Sequence, residues 1–124
     1  MKLEVGQFAR LKSGYICKII NINDFREPNM KYGVDANYLK DVMFIGDEDI
    51  VKTSYNIIDL IEVGDYVNGK KIVDVGCLTN GPRKGTKVID YYINPSAVSY
   101  LEKEDIKSVI THEQMEQMAY KVEE

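Results

Sequence analysis

Tryptophan is absent from the 124-residue chain, histidine occurs once, cysteine twice and proline three times. Each scarcity removes a class of chemistry. With His112 as the one imidazole, any Ser-His-Asp or Cys-His arrangement would have to be built on it, and such arrangements are defined by geometry rather than by presence. The surrounding His112-Glu113-x-x-Glu116 lacks the second histidine, four residues on, that zinc proteases require. His112 is therefore expected to be an exposed residue at the start of a helix. Cys17 and Cys77 are too few for a disulfide scaffold and have no paired metal spacing; both lie among β-type residues and are expected to be buried thiols. No apolar run approaches the length that crosses a bilayer. The segment Met1-Lys2-Leu3-Glu4-Val5 lacks the apolar stretch of a secretion signal, so a cytoplasmic protein is expected, with no membrane partner. Basic residues are also in deficit, sixteen against twenty acidic, for a net charge of −4. Phosphate neutralisation supplies most of the affinity of nucleic-acid binders, so this balance argues against a nucleic-acid partner.

What the chain does contain is an internal echo. Leu3-Glu4-Val5-Gly6-Gln7-Phe8 returns as Ile61-Glu62-Val63-Gly64-Asp65-Tyr66. Phe44-Ile45 followed by Glu48-Asp49-Ile50 returns as Tyr100-Leu101 followed by Glu104-Asp105-Ile106. The two spacings are nearly equal, and one short loop deletion accounts for the difference. Between these blocks each half holds a glycine turn and a β-branched run, from Gly14 to Ile20 and from Gly69 to Val75. Ordered matches of this kind are read as a duplication.

Each half reads as strands. Residues 5–11 and 63–67 begin with Val-Gly-x-aromatic, a place for a turn or bulge. Residues 16–22 and 71–75 alternate as half-buried strands, and Lys87-Val88-Ile89-Asp90-Tyr91-Tyr92-Ile93 is rich in β-formers. Helix is scarce. Residues 56–61 fit one connecting turn capped by Asn56, and Thr111-His112-Glu113-Gln114 is a capping-box start for a short helix. The tail Ala119-Tyr120-Lys121-Val122-Glu123 alternates like a final strand. The expected fold is mainly β: two small SH3-like barrels, residues 1–55 and 56–124, with a short C-terminal helix. Cores this small gain from association, so a homo-oligomer is expected.

The loop Asn80-Gly81-Pro82-Arg83-Lys84-Gly85-Thr86-Lys87 is the most suggestive segment. Two glycines let backbone amides turn toward an anion, and Arg83, Lys84 and Lys87 add positive charge. It is not a phosphate loop of the Walker type, because the glycine spacing differs and no Lys-Ser/Thr follows the second glycine. A solvated hairpin tip is the plain alternative. Nine tyrosines stand against three phenylalanines, and Tyr91, Tyr92 and Tyr100 flank this loop; tyrosines offer rigid contact area with a polar tip. Arg83, Lys84, Lys87, Tyr91 and Tyr92 are thus the expected ligand-binding residues. The acidic runs Asp47-Glu48-Asp49 and Glu102-x-Glu104-Asp105 are expected to be solvated turns rather than metal sites. No catalytic residue, metal or cofactor is assigned, and the chain is not expected to be an enzyme.

The stretches NIIDLIEVGDYVNGK (residues 56–70) and EDIKSVITHEQMEQMAYKVEE (residues 104–124) resemble a family of short proteins encoded in phages and prophages of Gram-positive bacteria. There NIIDLIEVGDYVNG is followed by a variable middle and a D-I-K-S-[IV]-[VI]-T ending. The resemblance covers about half of the chain, and no catalytic residues carry over from it. It implies an accessory protein that counteracts a host defence without catalysis, by occupying a defence protein or by sequestering a nucleotide second messenger. A nucleic-acid-associated or regulatory module is the rival class.

Overall fold

A computed structural model of the chain describes residues 3–35 and 43–118. It separates into two compact units, Met1–Leu60 and Ile61–Glu124. The boundary falls after the 3-10 helix Ile57–Leu60 rather than at residue 55. That helix is tied into the first unit: Arg10 Nη1 donates to the Leu60 carbonyl at 3.0 Å, and the Ser54 hydroxyl donates to Asp59. The Ser54 oxygen also accepts the Asn56 backbone N–H at 3.1 Å.

The first unit consists of β1 (Phe8–Leu11), β2 (Ile16–Ile22), β3 (Tyr32–Asp35), β4 (Met43–Ile45) and β5 (Ile50–Ser54), in the antiparallel order β4-β3-β2-β1-β5. The alternation read in β2 is realised: Cys17 and Ile19 are buried while Lys18 and Ile20 are exposed. Ile19 lies opposite Val34, and both are fully buried, each removal of such a side chain from water stabilising by about 1.5–3 kcal/mol. Leu3, Ala9, Leu11, Tyr32, Ile45 and Ile50 complete this core.

The second unit consists of β6 (Tyr66–Val67), β7 (Lys70–Cys77), β8 (Lys87–Asn94), β9 (Ala97–Leu101) and β10 (Val109–Ile110), in the order β10-β6-β7-β8-β9, followed by the helix α1 (His112–Met118). In both units the first strand therefore lies between the second and the last. A 3-10 helix precedes the last strand in each, Asp47–Asp49 and Lys103–Asp105. Its closure is the same both times: Gly46 N–H donates to Asp49 Oδ2 at 3.0 Å, and Glu102 N–H to Asp105 Oδ2 at 2.9 Å. The acidic runs are thus turns that cap themselves.

The expected barrels are not closed. The first sheet ends on β4 and β5, the second on β9 and β10, and closure needs the two edges to pair along their length. β4 has three residues; β10 has two, both already opposite β6. The first strands are also shorter than expected, starting at Phe8 and Tyr66. Gly6 (φ 99°) and Gly64 (φ 98°) bend the backbone through the left-handed region before pairing begins. The expected strand at residues 119–123 lies outside the described residues. Among the described residues no helix is long and apolar enough to cross a membrane.

Only one cysteine is buried. Cys17 is enclosed by the first core, whereas Cys77 ends β7 and is exposed; both are free thiols. Burial pushes the Cys17 thiol from 9.0 up to about 12, because a thiolate is poorly solvated there. Iodoacetamide at pH 8 should alkylate Cys77 rapidly and leave Cys17 unmodified until denaturant is added; mass spectrometry of the peptides reads both. The neutral Cys17 thiol contributes stability that is complete below pH 9 and is lost as pH rises toward about 12.

Candidate functional site

The loop between β7 and β8 was expected to present amides to an anion. Instead it closes on itself. Leu78 N–H donates to the Thr86 carbonyl at 2.9 Å, Gly85 N–H to Leu78 at 2.8 Å, Thr86 N–H to Arg83 at 3.1 Å and Lys84 N–H to Gly81 at 3.2 Å. Gly81 (φ 84°) and Gly85 (φ 90°) supply the left-handed turns that make this hairpin tip possible. Arg83 forks onto the Glu102 carboxylate, Nη1 to Oε2 at 2.6 Å and Nη2 to Oε1, so its charge is matched by the residue that begins the next 3-10 turn. Lys84 and Lys87 are exposed, Lys87 at the first position of β8 opposite Cys77.

Register separates the two tyrosines. β8 places Ile89 and Tyr91 on one face and Asp90 and Tyr92 on the other, by simple alternation. Tyr91 lies opposite Ile72, a fully buried residue, and Lys70 Nζ sits 4.9 Å from the centre of its ring. Tyr92 lies on the outer face, opposite Val98. Around it that face carries Tyr100 opposite Asp90, and Asp90 opposite Asp74. Tyr92, Val98 and Tyr100 are 58%, 53% and 45% exposed, a cluster of apolar area on the neighbouring strands β8 and β9. The Asp90 carboxyl is pushed up, first by burial and then by the Asp74 charge across the strand. Like charges directly opposite in a sheet destabilise it, and nothing in the core requires this pair. Asp74 and Asp90 were missed because a bulge between Ile72 and Asp74 shifts the phase of β7 relative to β8, and Val98 because the β8–β9 register sets it opposite Tyr92.

A second cluster lies where α1 begins. The Thr111 N–H donates to Gln114 Oε1 at 2.8 Å and the Gln114 N–H returns to Thr111 Oγ1 at 3.3 Å, the capping box read in the sequence. Beneath it, Asp65 is fully buried. Its Oδ2 accepts the Glu62 N–H at 2.8 Å and its Oδ1 accepts the His112 N–H at 2.9 Å. One carboxylate thus fastens the Val-Gly-Asp turn to the first residue of α1. The His112 ring is half-exposed, with Nε2 3.4 Å from Glu62 Oε1 and 3.2 Å from Glu113 Oε1. The three ligand atoms lie within 4.8 Å of one another. The sequence pointed to Glu113 and Glu116 as neighbours of His112; Glu62 arrives from the other end of the unit. In the first unit the matching turn is built with Gln7, whose Oε1 accepts the Glu4 N–H at 2.9 Å, and the Glu4 carboxylate accepts the Tyr55 hydroxyl. That bond pushes the Tyr55 phenol up.

Comparison with protein-family profiles, curated proteins and solved structures finds no match.

Replacing Asp65 leaves two amide donors without their charged acceptor, and hydrogen bonds to charged groups are worth about 1.5–3 kcal/mol each. Asp65→Ala should lower the stability of the second unit by about 3 kcal/mol in urea denaturation, with Asp65→Asn intermediate. An Asp65→Ala curve superimposable on the wild type would remove this carboxylate from the account.

Proposed function

We propose that the chain is a non-enzymatic binding protein built from two SH3-like copies of one module, and that the second copy docks a basic protein surface on the outer face of β7, β8 and β9. The observation that carries this reading is the opposed Asp74–Asp90 pair set among the exposed Tyr92, Val98 and Tyr100. A sheet face that keeps a repulsive carboxylate pair beside uncovered aromatics has the composition of a receptor for Arg or Lys side chains. Cations relieve the carboxylate repulsion while tyrosine supplies contact area, the combination typical of interface hot spots. The recurrence of strand order, of the Val-Gly-x turn and of the aspartate-capped 3-10 turn supports the duplication.

With the likeness to phage proteins, the partner is a host defence protein in the cytoplasm, and capture is stoichiometric. Sequestration of a nucleotide messenger is the second reading. Its phosphates would be repelled by Asp74 and Asp90 and would have to lie by Lys84 and Lys87 instead, outside the reach of Arg83, which Glu102 holds.

The test is affinity capture from host-cell lysate with wild type, Tyr92→Ser/Tyr100→Ser and Lys84→Glu forms, alongside melting curves with a panel of linear and cyclic nucleotides. A basic protein retained by wild type and Lys84→Glu, and lost with the tyrosine double variant, is the expected outcome. A nucleotide that raises Tm in the wild type and not in Lys84→Glu, by the linkage of binding to stability, would replace the protein-docking reading.

A further inference from the structure

The geometry at the start of α1 goes beyond partner docking and is separate from the β7–β9 face. We propose that Glu62, His112 and Glu113 form a site for one divalent transition-metal ion of the Zn²⁺ class, leaving at least one coordination position open.

Nitrogen and oxygen ligands hold such an ion at about 2.0–2.2 Å, and a tetrahedral arrangement then places ligand atoms about 3.3 Å apart. The Nε2 of His112 lies 3.4 Å from Glu62 Oε1 and 3.2 Å from Glu113 Oε1. Direct charge-assisted bonds from nitrogen to a carboxylate close to about 2.7–2.9 Å, so this imidazole is drawn tightly to neither glutamate. Nε2 carries at most one proton, which two carboxylates can share only as a long bifurcated bond, whereas an ion between the three atoms engages each of them directly.

Two of the ligands come from opposite ends of the second unit, yet both are anchored through the same buried group: Asp65 accepts the Glu62 N–H and the His112 N–H. The turn passes close to the ring, since a Cβ placed on Gly64 would lie 3.5 Å from the His112 Cβ. Glu113 follows on the helix. The side chains of Glu62, His112 and Glu113 are 33%, 42% and 31% exposed, so an ion can reach them and water or a partner's group can take the open position. Imidazole with carboxylates suits Zn²⁺ and its first-row neighbours better than the harder Mg²⁺ or Ca²⁺, which favour all-oxygen sites. The first unit shows the contrast. Its turn glutamate, Glu4, meets the Tyr55 phenol instead, and among the described residues the site belongs to the second copy.

The test is isothermal titration calorimetry of the full chain with ZnCl2 in a non-chelating buffer, with long-range ¹H–¹⁵N spectra of the His112 ring. Saturable binding at one equivalent, perturbation of the His112 ring signals and a raised Tm are expected. His112→Gln, Glu62→Gln and Glu113→Gln should each weaken binding by at least the roughly tenfold that removal of a mere supporting group costs. His112→Gln keeps the backbone N–H that Asp65 holds, and its melting curve with a chelator present verifies that it is folded. Glu104→Gln, on the exposed 3-10 turn before β10 and outside the ligand set, should bind as wild type does. Absence of saturable binding, binding spread over several equivalents, or wild-type affinity in folded His112→Gln would each overturn the site.

Discussion

The buried carboxylate of Asp65 is the constraint on which the second unit depends. A charged oxygen removed from water has to be surrounded by donors, and Asp65 finds them in the backbone of Glu62 and of His112. Those two amides lie on either side of the unit's sequence, one in the turn that enters β6 and one at the start of α1. Satisfying a single group therefore brings the beginning and the end of the unit together. Where Gln7 stands at the matching place in the first unit, a neutral amide accepts the local N–H of Glu4.

Around that turn the two units repeat one plan. The glycine amide donates into the following strand, Gly6 to Ile19 at 2.8 Å and Gly64 to Ile72 at 2.9 Å, and the strand returns a bond to the residue after the glycine, Gln7 or Asp65, at 2.8 Å each time. Because the edge strands are too short to meet, each sheet stays open, and an open sheet has two faces of different character. In the second unit Ile72 and Ile89 turn inward to the core, while Asp74, Asp90, Tyr92, Val98 and Tyr100 look outward. The proposed docking face is the outward side of that open sheet.

Much of this plan was legible in the residues. The Val-Gly-x-aromatic blocks marked the turns, the Glu-Asp-Ile blocks marked the 3-10 helices that precede the last strands, and Thr-x-x-Gln marked the helix start. These signals are local, with every partner within a few positions. The candidate site was less legible because it depends on register and on distant partners. One bulge between Ile72 and Asp74 decides that Tyr91 serves the inner face and Tyr92 the outer. Arg83 looked available until Glu102, from the far end of β9, closed on it. His112 looked like an ordinary surface residue until the turn carrying Glu62 arrived beside it. Closure of the sheets was misjudged for a related reason: strand existence can be read from alternation, but not that β10 would be two residues long and paired with β6 alone.

Native-state hydrogen exchange followed by NMR tests the central claim most directly. If the glycine turns are the fastening points of both units, the amides of Gly6, Ile19, Gly64 and Ile72 should exchange only through unfolding of their unit, and the His112 amide should share the protection of Gly64 and Ile72. Exchange of the His112 and Gly64 amides at the rate of an unprotected loop, in an otherwise folded protein, would contradict the account.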